Sequence, residues 1–365
     1  MRVAIDARKL RDGGIGTYVR NLLREFARRP DGNEFVALVA PEDRGAVASG
    51  AVTEQIVRAG NYSISEHLVV ARAARLAGAD LLHAPHYTLP LAWGGPAVVT
   101  IHDLTHITHA HLFPPGAALY ARVVAGIAAR RARIVLTVSE LARTHIVSLL
   151  GVPEGRVRVT PLAVSGGISR RSPEEVAAFR SERGLPSEYL LFVGALRRHK
   201  NVGLLIEALR LLPKSSPPLV LAGGPWAPGS PFSEAARDAG VLDRIVFAGP
   251  TRNDQETSLL YSGAALYVHP SISESFNLTT LEAMACGVPV LSSTGGALRE
   301  SLGDAAAFLP PENPAAWAEA ITALLGDEAQ RAGLVRRGVE RVRSYSWERT
   351  AALTLDAYRG ALERA

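Results

Sequence analysis

The sequence predicts an α/β protein built from two doubly wound, parallel-sheet domains. Three observations carry this reading. At 365 residues the chain exceeds what one ordinary hydrophobic core accommodates. Short apolar runs alternate with amphipathic helical stretches, the rhythm of parallel βαβ crossovers. The rhythm then restarts near residue 188, so each half is Rossmann-like in its own right.

In the first half, strands are expected over residues 3–6, 35–40, 81–84, 97–102, 134–139 and 157–162. In the second they fall at 189–194, 219–222, 245–249, 266–269, 288–292 and 306–309. These runs are rich in Val, Leu and Ile, as strands buried on both faces should be. Between the halves, residues 166–186 contain Gly166-Gly167, a Ser-Pro pair, basic residues and a short helical pattern, and read as a linker. The expected domains are therefore 1–165 and 187–344, followed by an amphipathic helix over 345–365. No repeat of solenoid period is present.

Composition narrows the class. Apolar residues make up 47% and charged residues 21%, values of a folded globular chain. No apolar run approaches the roughly 20 residues that a membrane span needs. The start, Met1-Arg2-Val3-Ala4-Ile5-Asp6, reads as a strand and not as a signal peptide, so a cytoplasmic location is expected. The one cysteine, Cys286, excludes an internal disulfide. Net charge is +5, but residues 1–165 carry 19 Lys/Arg against 13 Asp/Glu (+6) and the remainder 21 against 22 (−1). Arginines gather over residues 18–29 and 120–133. This is either a solvated face or a surface that meets an anionic membrane or a lipid phosphate. No aromatic interleaving or groove-reading motif accompanies the charge, which argues against nucleic acid.

In such sheets ligands bind beyond the carboxyl ends of the strands, and every candidate residue lies there. Gly13-Gly14-Ile15-Gly16-Thr17 follows the first strand; its glycines admit a phosphate or sugar to the backbone, or simply make a turn. His102-Asp103 ends the strand over 97–102, where a neutral histidine can donate to a sugar hydroxyl or be an ordinary core residue. His106, His109 and His111 follow, but their spacing fits no one helix face and no Cys or carboxylate cluster completes a metal site. Residues 192–201, Phe-Val-Gly-Ala-Leu-Arg-Arg-His-Lys-Asn, place a basic loop at the first strand end of the second half. The turns over 221–225 and 247–251 are further strand ends.

The most informative segment runs from His269 to Leu291. A strand stops at Pro270-Ser271, a loop carries Glu274, and a helix opens near Thr279 with Glu282 in its first turn. The amides of Phe276, Asn277 and Leu278 lie where a helix N-terminus attracts an anion. Glu282 by itself is equally an exposed acid favoured by the helix dipole. Taken as an acid–nucleophile pair of a retaining hydrolase, the two glutamates fit poorly. That chemistry needs carboxyls about 5–5.5 Å apart, whereas eight helical residues rise about 12 Å.

The whole block resembles the E-F-G-(six residues)-E-A-M-A-x-G-x-P-V signature of retaining glycosyltransferase family 4, whose members have the GT-B fold. The resemblance covers nearly the whole chain, more specifically in the second half. It implies two Rossmann-like domains facing across a cleft, with the last helix crossing back to the N-terminal domain. It implies a nucleotide-diphosphate sugar as donor, with Glu274 on the donor sugar and Glu282 on the ribose hydroxyls. Ser275, Phe276, Asn277 and Leu278 would offer contacts to phosphate or sugar, and Thr251 would lie by the base. Gly14 matches the G-G-x-G loop and His102 a position where the family places a histidine, read here as catalytic; Asp103 beside it either orients the acceptor or is a structural cap. Lys200 matches the lysine of G-R-L-x-x-x-K that holds the diphosphate.

The chain departs from the pattern in places. Ala195 stands where the arginine is usual, leaving Arg197, Arg198 or His199 to compensate. Ser275 and Asn277 stand where glycines are usual. No Asp-x-Asp occurs, so transfer without a divalent metal or other cofactor is expected. The first half is closest to members that build bacterial surface polysaccharide, many of which use GDP-mannose. That implies a saccharide or lipid-linked saccharide as acceptor and peripheral contact with the membrane's inner face. The competing readings are a GT-B nucleotide-sugar epimerase, a sugar phosphorylase, and a non-catalytic binding or scaffold protein on the same fold.

Overall fold

The computed structural model describes all residues except 30–31, 225, 227–228 and 364–365, so the last residue of the 221–225 turn lies outside the described residues. The chain forms two compact units: Met1–Leu162 together with Ser346–Ala365, and Ala163–Tyr345.

Among the described residues the first unit holds a seven-stranded sheet. Its strands are β1 (Arg2–Asp6), β2 (Glu34–Val39), β3 (Val52–Ile56), β4 (Leu81–Ala84), β5 (Ala97–Thr100), β6 (Ile134–Thr137) and β7 (Val157–Val159). They lie in the order β3-β2-β1-β4-β5-β6-β7, all pairs parallel. The second unit holds β8 (Leu190–Gly194), β9 (Leu219–Gly223), β10 (Ile245–Gly249), β11 (Leu266–His269), β12 (Val290–Ser293) and β13 (Ala307–Leu309). Their order is β10-β9-β8-β11-β12-β13, again parallel throughout. In each sheet the order reverses beside the first strand. This puts a topological switch point between β1 and β4 and another between β8 and β11.

The central strands are buried on both faces because helices cover both, which is why they read as unbroken apolar runs. Strand β3 was not expected. It sits at the sheet edge and its Val-Thr-Glu-Gln-Ile buries only part of one face, so it lacks the apolar signature. The stretch read as a linker is built into the second unit. Its helix Pro173–Arg183 starts from a capping box at Ser172 and Glu175, and Ile168, Val176 and Phe179 are core residues.

The last helix, Trp347–Glu363, packs in the first unit. A buried polar chain fastens it there: Tyr358 hydroxyl to His83 Nδ1 at 2.7 Å, His83 Nε2 to Thr100 Oγ1 at 2.8 Å, and Thr100 Oγ1 to Tyr18 hydroxyl at 3.2 Å. Burial pushes His83 down to about 3, so the ring bridges as a neutral group.

Candidate active site

In the second unit the loop after β11 is clamped from three sides. The Ile272 N–H donates to the His199 carbonyl at 2.8 Å, and Ser293 Oγ donates to the Ser271 carbonyl. Glu274 forms an isolated parallel bridge with Gly296, and the Ala297 N–H reaches the Glu274 carbonyl at 2.7 Å. A Cβ on Gly295 would stand 2.2 Å from the Ile272 carbonyl oxygen, and one on Gly296 (φ +66°) 2.2 Å from that of Glu274. Only glycine permits this approach. Glu274 is thus fixed by its backbone before its side chain makes any bond.

That side chain meets Lys200, Nζ to Oε1 at 2.6 Å, with 18% and 10% of the two side chains exposed. Burial pushes the Glu274 carboxyl up, but the Lys200 charge together with neighbouring His269 outweighs it and holds the group well below the usual carboxylate range. Lys200 is itself placed by Asn201, a left-handed residue (φ +54°) whose amide donates to the Pro311 carbonyl at 2.8 Å and the Pro270 carbonyl at 3.2 Å.

Asn277 stands where a glycine is usual, but it needs no left-handed backbone: its φ is −128°, and it caps helix Leu278–Ala285. Its Oδ1 accepts from the Thr280 N–H, Thr280 Oγ1 and Thr279 Oγ1, each at 2.8 Å. A cap of this kind contributes about 1 kcal/mol. It also settles the amide's orientation, so Nδ2 faces His269 Nε2 at 2.7 Å and donates to it. One ring nitrogen cannot accept from Asn277 and donate to Glu274, 3.2 Å away, at the same time. His269 Nε2 therefore serves one of these two contacts at a time, while its Nδ1 is buried without a hydrogen-bond partner among the described residues, and Lys200 is the full charge that faces Glu274. Burial lowers the His269 pKa, in keeping with a neutral ring between Phe192 and Tyr267.

Glu282, one turn into the same helix, takes a different partner. Its Oε2 accepts from the Tyr261 hydroxyl at 3.1 Å, and burial pushes its carboxyl up to about 7. Ser275 and Phe276 are half-buried, and Phe276 packs edge-on against Tyr345 at 5.4 Å. Thr251 follows β10 and bonds Thr257 Oγ1 at 2.6 Å. Arg197 and Arg198 are exposed, whereas His199 is half-buried and gives its carbonyl to the Glu274 loop. The structure thus brings Lys200 and Glu274 into contact, while Glu282 and Thr251 each bond elsewhere.

The first unit's candidates are built more loosely. Helix Gly13–Ala27 starts inside the glycine loop, leaving Gly13 and Gly14 exposed at its N-terminus. Nothing lies within 4 Å of a Cβ placed on Gly14, whereas one on Gly16 would stand 2.2 Å from the Leu10 carbonyl oxygen. The steric need for glycine falls on Gly16, and Gly14 has the open space a ligand requires. His102 Nε2 donates to the Pro85 carbonyl at 3.1 Å, and burial lowers its pKa. With that proton committed, the neutral ring presents Nδ1 as an acceptor, the reverse of the donor role expected. Asp103 Oδ1 accepts from the Thr105 N–H at 2.9 Å.

Residues 12–165 match the profile described as Glycosyltransferase Family 4, and residues 175–341 match Glycosyl transferases group 1. The O-antigen chain mannosyltransferase B of Escherichia coli is 30% identical over 293 residues, covering 76% of this chain and 74% of that protein. The chain belongs to glycosyltransferase family 4. A second family relative, the D-inositol 3-phosphate glycosyltransferase of Acidothermus cellulolyticus, is 31% identical over 391 residues, covering 96% of this chain and 86% of that protein. Among solved structures, the sucrose-phosphate synthase of Thermosynechococcus elongatus superposes with a TM-score of 0.82 at 21% identity, covering 100% of both chains. The Anabaena protein HepE, in complex with UDP-glucose, does so at 0.77 and 18% identity, covering 98% of this chain and 99% of that one. These likenesses establish the GT-B fold, and with the family they make the protein a glycosyltransferase that uses a nucleotide-sugar donor.

Sequence reasoning missed Asn201, Tyr261, His269, Gly295 and Gly296. The Gly-Gly pair after a strand end was a visible signal of close backbone approach. The others act through contacts that no local pattern announces.

Proposed function

We propose that the protein is a retaining, metal-independent glycosyltransferase that moves mannose from GDP-mannose to a hydroxyl of a saccharide or lipid-linked saccharide. The single observation that carries this is the Lys200–Glu274 pair beside the N-terminus of helix Leu278–Ala285. A cation, a carboxylate and free helix amides are what a sugar nucleotide needs as its glycosidic bond breaks. Lys200, aided by exposed Arg197 or Arg198, takes the charge of the leaving diphosphate, so no divalent ion is called for. Glu274 then orients the donor sugar, Glu282 accepts from the ribose hydroxyls, and the Ser275–Leu278 segment and Thr251 complete the donor contacts. The bond from anomeric carbon to phosphate oxygen breaks, the acceptor oxygen bonds on the same face, and its proton passes to the departing phosphate. His102 and Asp103 act on the sugar and the acceptor, and Gly14 gives the ligand access to the backbone.

The choice of mannose rests on the E. coli relative, named a mannosyltransferase. Peripheral membrane contact rests on the first unit. Helix Glu66–Leu76 exposes Leu68 and Leu76 beside Arg72 and Arg75, and helix Ala117–Arg131 exposes Leu119, Tyr120 and Val123 beside Arg122 and Arg130. The arginines of residues 18–29 serve differently: Arg28 pairs with Glu25, and Arg29 bonds the Glu348 carbonyl. Among the described residues no helix is long and apolar enough to cross a membrane.

The test is a thermal-shift panel of GDP, UDP, TDP and ADP with and without EDTA, followed by turnover of the matching sugar donors. GDP at 100 times its dissociation constant should add about 2.7 kcal/mol regardless of EDTA. No shift with any nucleotide would sink the donor site and favour the scaffold reading.

A further inference from the structure

Tyr62 has no role in the chemistry above, yet the first unit invests heavily in its position. Its φ of +62° is a left-handed conformation that bulky residues rarely adopt, and its ring is half exposed. Buried charges hold it there. Arg8 Nη2 donates to Asp6 Oδ2 at 2.7 Å and to Glu66 Oε2 at 3.1 Å, and the same Glu66 oxygen accepts the Tyr62 N–H at 3.1 Å. The side chains of this triad are at most 10% exposed. The hydroxyl is pinned as well: it accepts from Lys9 Nζ at 3.0 Å and bonds His86 Nε2 at 3.1 Å. Burial pushes His86 down to about 3, so the neutral ring accepts and the phenol donates. The Lys9 ammonium also lies 4.2 Å from the ring centroid.

This aromatic face stands among the strand ends that carry the first unit's other candidates. Lys9 follows β1 and His86 follows β4, one residue beyond the Pro85 carbonyl that His102 bonds. Both cations near the ring already face carboxylates: Lys9 meets Asp12 Oδ2 at 3.2 Å, and Arg8 meets two. A rigid ring over charges that already have partners suits the C–H face of a neutral sugar better than a phosphate.

We propose that Tyr62 is the stacking platform of an acceptor subsite for an uncharged pyranose, an inference that rests on the glycosyl-transfer reading above.

The test is saturation-transfer difference NMR on the full chain, with α-mannotriose as the neutral probe and D-inositol 3-phosphate as the charged one. Wild type and Tyr62→Phe should saturate the ring protons of mannotriose, and Tyr62→Gly should bind it about tenfold more weakly. Glycine adopts φ +62° without strain but forfeits the hydroxyl's bonds to Lys9 and His86, so the glycine variant should melt in one cooperative transition at or somewhat below the wild-type temperature. A purely structural tyrosine would leave mannotriose binding to the folded variant unchanged. Mannotriose binding wild type no better than Tyr62→Gly, or inositol phosphate depending on Tyr62 as strongly, would overturn the proposal. Failure of the transfer reading shows elsewhere, as absent nucleotide shifts and absent donor turnover in the wild type.

Discussion

The loop after β11 and the glycine turn after β1 both lie beyond strand ends at the switch points of two similar sheets, yet they are built in opposite ways. The first is over-determined. Glu274 is locked by Gly295 and Gly296, by the His199 carbonyl, and by an ion pair with Lys200. The second is open: the exposed turn at Gly13 and Gly14 has no side chain pressing on it. Preorganised charge is what a leaving diphosphate demands, because reorganisation at the moment of reaction would raise the barrier. A turn that admits a neutral acceptor has no such need of charge, and the Tyr62 platform is held separately, by the Asp6–Arg8–Glu66 triad.

Breaking the locked loop should have the largest effect. Lys200→Met leaves Glu274 buried and unpaired and should cost about 3 kcal/mol of stability, read as a lowered denaturation midpoint in urea. The double variant with Glu274→Gln should recover most of it, while donor turnover falls about 100-fold or more in every variant lacking Glu274. Recovery by the double variant is the sharp part: without it, the pair is not what holds the loop.

Glu282 sharpens the comparison through pH. With its folded pKa raised to about 7 from a usual 4.5, the carboxyl stays protonated in the fold while an unfolded glutamate ionises. Stability from this group is therefore lost between those two values as pH rises, and the loss is complete above about 7. Glu282→Gln should raise the unfolding temperature at pH 8 but not at pH 4.5, and weaken nucleotide binding by about 1.5–3 kcal/mol. Wild-type nucleotide affinity should fall from pH 8 to pH 6 by calorimetry, and the variant's should stay flat. Glu274 behaves oppositely: its pKa is depressed, so its contribution is complete above about 4.5 and is lost only in strong acid.

The smallest effects separate glycines of the two loops. Gly14→Ala, in a helical first turn with open space, should leave stability unchanged or raise it by up to about 1 kcal/mol while slowing transfer. Gly296→Ala meets backbone at a left-handed position and should destabilise the second unit outright. Equal stability losses in thermal melts would erase the contrast drawn between the loops.

How much was legible follows the same division. Twelve expected strands all appear, because burial on both faces forces an apolar run that a sequence displays directly. The edge strand Val52–Ile56 was hidden because an edge buries too little to leave that mark. The segment over 166–186 looked like a linker because glycines and charges dominate it, while its contribution to the second core comes from only a few side chains. At the site, Glu274, Glu282 and Lys200 were readable from order and spacing. Their relations were not. Nothing local says that Lys200 pairs with a carboxylate 74 positions away, or that Glu282 faces Tyr261.

The sequence by itself determined the two parallel sheets, the strand ends that carry chemistry, and the residue types placed there. These follow from short-range rules of periodicity, turn chemistry and helix N-termini. Only the tertiary structure decided which charges meet, that His269 lies between Asn277 and Glu274, and that Tyr62 is held left-handed by a buried triad. Those outcomes depend on distances between segments far apart in the chain, where desolvation makes each pairing decisive.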